Sequence, residues 1–190
     1  MPILGIIASQ ISGHLWAPSG AYDSIATTTL SSTTATITFS SIPATYTHLQ
    51  LRVLARTNRS AGTDLMSMRM NSDTGNNYAD HLFYGDGSSV IVDGNNTYGK
   101  INIQRVASDN LSASIFSGFV IDILDYANTN KYKTIRYLGG FDANGSGRVA
   151  FGSGFWQNTA AVTSITLQGL EFTSSYNQYS QFALYGIKGN

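Results

Sequence analysis

The residues able to do chemistry are few and scattered. Three histidines, His14, His48 and His81, share neither an H-E-x-x-H pattern nor an i, i+4 spacing, so the sequence builds no zinc or acid-base pair. Each reads as a surface or hydrogen-bonded side chain, and Asp80-His81 with Asp86 close behind is the nearest approach to a polar cluster. Asp73-Thr74-Gly75 spells the aspartic protease tripeptide, whose mechanism needs two carboxylates sharing one proton. Asn71-Ser72 precedes it where an apolar strand is required, and no second copy occurs, so it reads as a hairpin loop. Gly145-Ser146-Gly147 and Gly152-Ser153-Gly154 are too compact for a G-x-S-x-G elbow, and no phosphate-binding G-x-x-x-x-G-K-[ST] is present. Asn71-Ser72-Asp73 and Asp93-Gly94-Asn95-Asn96 carry hard oxygen ligands without the calcium-loop spacing. Glu171 is the sole glutamate, and the aspartates sit mainly in turns, which leaves a glycosidase-type carboxylate pair little to work with. No catalytic residue, metal ligand or cofactor is therefore assigned, and the chain is not expected to be an enzyme. Sequons at Asn58, Asn95, Asn110 and Asn144 arise readily in a chain this rich in Asn, Ser and Thr. Trp16, Trp156 and the eleven tyrosines have faces suited to sugar or protein, with packing the expected use of most.

The elements that must position these groups are strands. No apolar pattern holds a period of 3.6 over a helix-length window, whereas alternation with period 2 recurs throughout. In Leu49-Gln50-Leu51-Arg52-Val53-Leu54-Ala55-Arg56, the residues Leu49, Leu51, Val53 and Ala55 share one face, with Gln50, Arg52 and Arg56 on the other. Further strands are expected near Ser24–Leu30, Ala35–Ser40, Leu65–Asn71, Tyr78–Tyr84, Val90–Val92, Lys100–Val106, Ser112–Leu124, Lys133–Gly139, Arg148–Trp156, Ser164–Leu170 and Gln181–Ile187. Ser112–Leu124 is apolar on both faces, which predicts a central strand covered on both sides. Asp86-Gly87, Asp93-Gly94 and Asn144-Gly145 supply the positive φ of tight turns, and Asp73–Asn76 and Asn128–Asn130 read as longer hairpin loops. The pattern predicts an all-β fold: an antiparallel β-sandwich, jelly-roll-like, of about 10–11 strands.

One domain accounts for 190 residues, with residues 21–190 as the sandwich and residues 1–20 as an extended N-terminal arm. Gly13, Pro18 and Gly20 interrupt that leading stretch, and Ile3, Leu4, Ile6, Ile7, Ile11, Leu15 and Trp16 give it an apolar surface to dock on a partner by strand addition. Ile3–Ser9 reads equally well as the first strand of the sandwich. The opening lacks the basic flank of a secretory signal and the ~20 apolar residues of a span, so neither cleavage nor membrane insertion is expected. Eleven Lys plus Arg balance eleven Asp plus Glu, so no net field draws the chain to nucleic acid, and none repels a second copy. With no cysteine, stability must come from packing and partner chains.

Particular stretches also carry a resemblance. Pro2–Gly13 with Tyr22–Thr27, Phe39–Pro43 with Tyr46–Arg52, Asn71–Tyr78, Ile121–Thr134 and Phe182–Lys188 resemble a group of small bacteriophage virion proteins common among phages of cyanobacteria and marine bacteria. The likeness covers nearly the whole chain, in strand and hairpin motifs. It implies a jelly-roll-like subunit on the outer surface of the virion, usually a homotrimer, partnered by the major capsid protein or by tail components. The reading adopted is a head decoration (cement) protein that stabilises the capsid, with Ile3–Trp16 as the tether. The alternative is a tail-fibre or receptor-binding module attaching to host glycan through apical hairpins that include Tyr84, Asp93, Asn95 and Tyr98. A polysaccharide-active enzyme is the remote third.

Overall fold

The structure, a computed structural model, describes residues 20–169 and 173–189. Twelve strands form in order: β1 (Tyr22–Thr29), β2 (Thr36–Phe39), β3 (His48–Ala55), β4 (Thr63–Met70), β5 (Tyr78–Gly85), β6 (Val90–Tyr98), β7 (Ile101–Ala107), β8 (Ser117–Leu124), β9 (Lys133–Asp142), β10 (Gly147–Trp156), β11 (Ile165–Gln168) and β12 (Gln181–Ile187). Among the described residues no helix forms. The strands make two antiparallel sheets, one of eight ordered β1-β12-β3-β8-β9-β10-β5-β6 and one of four ordered β2-β11-β4-β7.

Eight of these strands are a jelly roll. The quartets β1-β12-β3-β8 and β2-β11-β4-β7 face each other while the chain passes from one sheet to the other at β1–β2, β2–β3, β3–β4, β4–β5, β6–β7, β7–β8, β10–β11 and β11–β12. Two inserted pairs, β5–β6 and β9–β10, both join the first quartet beyond β8 and double its width. At ~4.8 Å per strand the large sheet is roughly 38 Å wide and the small one roughly half that.

The core lies between the sheets. Leu49, Leu51 and Val53 of β3, Ile121 and Ile123 of β8, and Ile135 and Tyr137 of β9 meet Met66, Met68 and Met70 of β4, Ile101 and Ile103 of β7, and Ile165 and Leu167 of β11, all buried. Period 2 put these side chains on one face each, as the sequence predicts.

Four sequence expectations are corrected. The strand expected over Ser112–Leu124 begins only at Ser117, because Arg56 pins the preceding loop by donating to the carbonyls of Leu111 (2.8 Å), Ser112 (2.9 Å) and Ile115 (3.3 Å). β8 is central but covered on one side, since the small sheet faces only its Ile121 side. Asp93-Gly94 is no turn: β6 runs through it, and Gly94 is needed for close approach, a Cβ there falling 2.8 Å from the His81 ring. Asp73–Asn76 closes no hairpin but carries the chain from β4 in one sheet to β5 in the other. Asp86-Gly87 and Asn144-Gly145 do turn the chain, with positive φ at Gly87, Asn144 and Gly145.

Candidate interaction surface

Side chains of the large sheet that point away from the core form aligned rows, because directly paired residues share a face. One row runs Thr27, Ala183, Arg52, Val120, Leu138, Phe151, Phe83, Val92, from β1 to β6. Its last five members are apolar and stay exposed, Val120 at 39%, Leu138 at 55%, Phe151 at 44%, Phe83 at 49% and Val92 at 78%. Phe83 and Phe151 touch, their ring centroids 5.7 Å apart. A second row in the same register brings Leu54, Val149 and Val90 to the surface across Gly118, Gly140 and Gly85. Five strands at ~4.8 Å, with two rows at roughly 7 Å each along them, give a patch on the order of 330 Å². That lies within the range for the largest apolar patch of a monomer, about 300–600 Å².

Two shallow depressions lie along it. One of about 590 Å³ is bounded by Arg52, Leu54, Val120, Leu138 and Tyr185, and one of about 330 Å³ by His81, Phe83, Val92 and Phe151. Arg52 lies over the rings of Tyr22 and Tyr185, 5.9 and 5.3 Å from their centroids. The next row, Gln50, Asp122, Arg136, Ser153, His81, is polar and of mixed charge. The surface is thus an apolar band with a polar margin.

Three of the polar groups singled out in the sequence, Asp73, Asp80 and His48, are hydrogen-bonded within the fold, while His81 is exposed. The Asp73 carboxylate accepts from Gly75 N–H (2.8 Å), Asn77 (2.9 Å) and the Trp156 indole (2.7 Å). Burial raises its pKa, but these donors outweigh burial and hold it below the ordinary carboxylate value. Asp80 is fully buried and accepts from Asn95 (2.9 Å) and Asn102 N–H (3.1 Å), burial raising its pKa against those bonds. His48 Nδ1 accepts from Asp125 N–H (2.9 Å), and Asp125 pairs with Lys131 (2.7 Å). No group of three or more His, Asp or Glu able to hold a metal ion occurs among the described residues.

The four glycan candidates fall on the opposite side of the β5–β6 hairpin from the apolar row. Tyr84 lies under Arg148, whose guanidinium is 3.8 Å from the ring centroid; Asn95 is bound to Asp80; Lys100 lies 5.6 Å from the Tyr98 ring. Asp93 is exposed, with one oxygen taken by Gly94 N–H. They are strung along the hairpin, Tyr84 on β5 and the other three on β6, and do not converge on one pocket. The tether residues Ile3, Leu4, Ile6, Ile7, Ile11, Leu15 and Trp16, together with His14 and Glu171, lie outside the described residues.

Sequence reasoning missed Val120, Leu138, Phe151, Phe83 and Val92 as a surface. The signal is present in the two-sided apolarity of Ser112–Leu124, which predicts coverage where the structure leaves Val120 exposed. It also missed Lys133, fully buried with its ammonium donating to the carbonyls of Asn128 (2.5 Å), Lys131 (2.9 Å) and Thr159 (3.0 Å).

No family model matches the chain, and no curated protein does. Among solved structures, the galectin LEC-6 of Caenorhabditis elegans is similar at 10% identity and a TM-score of 0.33, over 86% of this chain and 96% of that one.

Proposed function

We propose that this chain is a structural subunit of a bacteriophage particle, a head decoration protein seated against neighbouring shell proteins through the outer face of its large sheet. The observation that carries the reading is the exposed apolar row Val120, Leu138, Phe151, Phe83, Val92. Among the described residues nothing covers it, and with its polar margin it can form the apolar centre of an interface that buries ~800 Å² on each partner. Zero net charge and the resemblance to small phage virion proteins point the same way. Many copies, each binding only the assembled shell, stabilise it by mass action. Glycan attachment through Tyr84, Asp93, Asn95 and Tyr98 gains nothing from the geometry, because three of the four are engaged inside the fold.

The test is incorporation. Leu138→Asp with Phe151→Asp removes two side chains worth roughly 1.5–3 kcal/mol each if fully buried, so binding to the particle should weaken about a hundred-fold or more. Circular dichroism should remain that of the native sandwich, because both side chains are outside the core. A doubly substituted chain present in purified particles at wild-type copy number overturns the proposal. Particle imaging gives that number, hundreds for decoration and a dozen or so for a tail part.

A further inference from the structure

Among the described residues, nothing guards the β6 edge of the large sheet. Sheets protect their edges with short strands, bulges, prolines or lysines. The opposite edge, β1, is kinked by a bulge between Ser24 and Ala26 and carries the Asp23–Lys188 ion pair (2.7 Å). In the small sheet, β2 has four residues and the end of β7 is closed by Thr57 N–H on the Ala107 carbonyl (3.1 Å). β6 has nine residues, no proline or lysine, and exposes Val90, Ile91, Val92, Asp93 and Gly94 in succession. Its irregularity lies beyond Asn95, leaving Val90–Asn95 in unbroken register with β5.

The hydrogen-bond phase of that edge can be read. Gln157 N–H donates to the Asn77 carbonyl (2.7 Å), so the odd residues of β5 face β10 and the even ones face β6. Asp86 N–H to Ser89 C=O (3.3 Å) agrees, and in the pairing Tyr84 with Ile91 and Leu82 with Asp93 it engages Ile91 and Asp93. The backbone groups of Val90, Val92 and Gly94 therefore point away from the sheet.

We infer that β6 pairs antiparallel with β6 of a second copy about a two-fold axis through Val92. That register matches Val92 with Val92 and Val90 with Gly94, so the outward N–H groups of Val90 and Val92 meet outward carbonyls in about four backbone bonds, and Gly94 N–H adds up to about two more by exchanging its Asp93 partner (2.8 Å) for the Val90 carbonyl. The only charge on the strand, Asp93, then falls opposite Ile91, so no like charges meet. The axis stands perpendicular to the sheet, and the outer faces of both copies lie on one side. The row from Val120 to Val92 runs on into the partner's row, forming one band across both subunits. The pairing is independent of what that band touches, and it makes a dimer where the resemblance implies a trimer.

Light scattering on the purified full chain tests it. Wild type should have twice the chain mass at micromolar concentration. Val92→Pro deletes an N–H that bonds nothing within the subunit, so the strand should survive and the dimer weaken about ten-fold or more. The chain has no cysteine, so Val92→Cys supplies a single thiol that meets itself across the axis at ~5.5 Å between Cα atoms, within disulfide reach. Oxidation should cross-link Val92→Cys nearly completely and leave a Leu138→Cys control uncross-linked. A monomeric or trimeric wild type, or a Val92→Cys chain that stays uncross-linked, overturns the inference. If Val92→Pro unfolds by circular dichroism, the cross-link decides alone.

Discussion

Asp73→Asn probes the joint that brings the β5–β6 hairpin into the large sheet. Three donors converge on the Asp73 carboxylate, the Trp156 indole, the Asn77 amide and Gly75 N–H. An asparagine offers one acceptor oxygen and turns an NH₂ on the remaining donors. Trp156 is 1% exposed, so its N–H finds no water if it loses this partner. Losing one charge-assisted bond and stranding a buried donor costs about 2–3 kcal/mol. For a chain of this size that lowers Tm by roughly 4–12 °C. Urea unfolding of both proteins from pH 7 to pH 2 reads the magnitude and its sign. Because the folded carboxyl lies below its ordinary value, its contribution is complete above about pH 4 and is lost as pH falls through the folded pKa. The gap between wild type and variant should close in acid. A gap under about 0.5 kcal/mol at pH 7, or one constant down to pH 2, refutes the assignment of Asp73 as the anchor of this crossover.

Two further substitutions test a close packing contact within the large sheet and the pinning of the loop before β8. Gly152→Ala places a Cβ 2.2 Å from the ring and hydroxyl of Tyr137, which is buried and donates to the Asn102 carbonyl (3.3 Å), so about 1–3 kcal/mol of stability should be lost; a wild-type melting curve contradicts this. Arg56→Met removes the guanidinium that holds the carbonyls of Leu111, Ser112 and Ile115, so amide exchange over residues 108–116 should rise at least ten-fold, and unchanged protection there disproves the pinning role.

Local alternation carried most of the strand map because it depends only on which residues share a face. Gln181–Ile187 coincides with β12, and Tyr78–Tyr84 falls one residue short of β5. What alternation lacks is the identity of the layer opposite each face. Arg52 and Arg56 share a phase in β3 and its continuation, yet Arg52 is exposed while Arg56 is buried, because the loop around Leu111–Ile115 folds over one and not the other. Lys133 begins a strand in a polar setting and is buried by carbonyls from two other segments, a closure no spacing encodes. Gly94 and Gly87 both follow an aspartate, but only Gly87 takes a positive φ. A glycine serving close approach and one serving a turn have the same letter.

The same limit explains why the second apolar face of Ser112–Leu124 predicts cover that the fold does not supply. A four-stranded layer can cover one face of at most about half of an eight-stranded one, so any second apolar face must find its cover outside the sandwich or leave it exposed. The row itself supplies an internal control. At the β1 end, where the strand meets water, it holds Thr27, followed by Ala183 and Arg52; from β8 to β6 it holds only Val, Leu and Phe. Threonine satisfies a solvated strand as well as valine does. Pleat and propensity therefore do not account for the change along the row, whereas the proposed contact with a neighbouring protein over the β8–β6 half would. The polar margin of Asp122, Arg136, Ser153 and His81 one row away bounds that contact to a band, which favours a flat protein neighbour over a small ligand that would need a deep pocket.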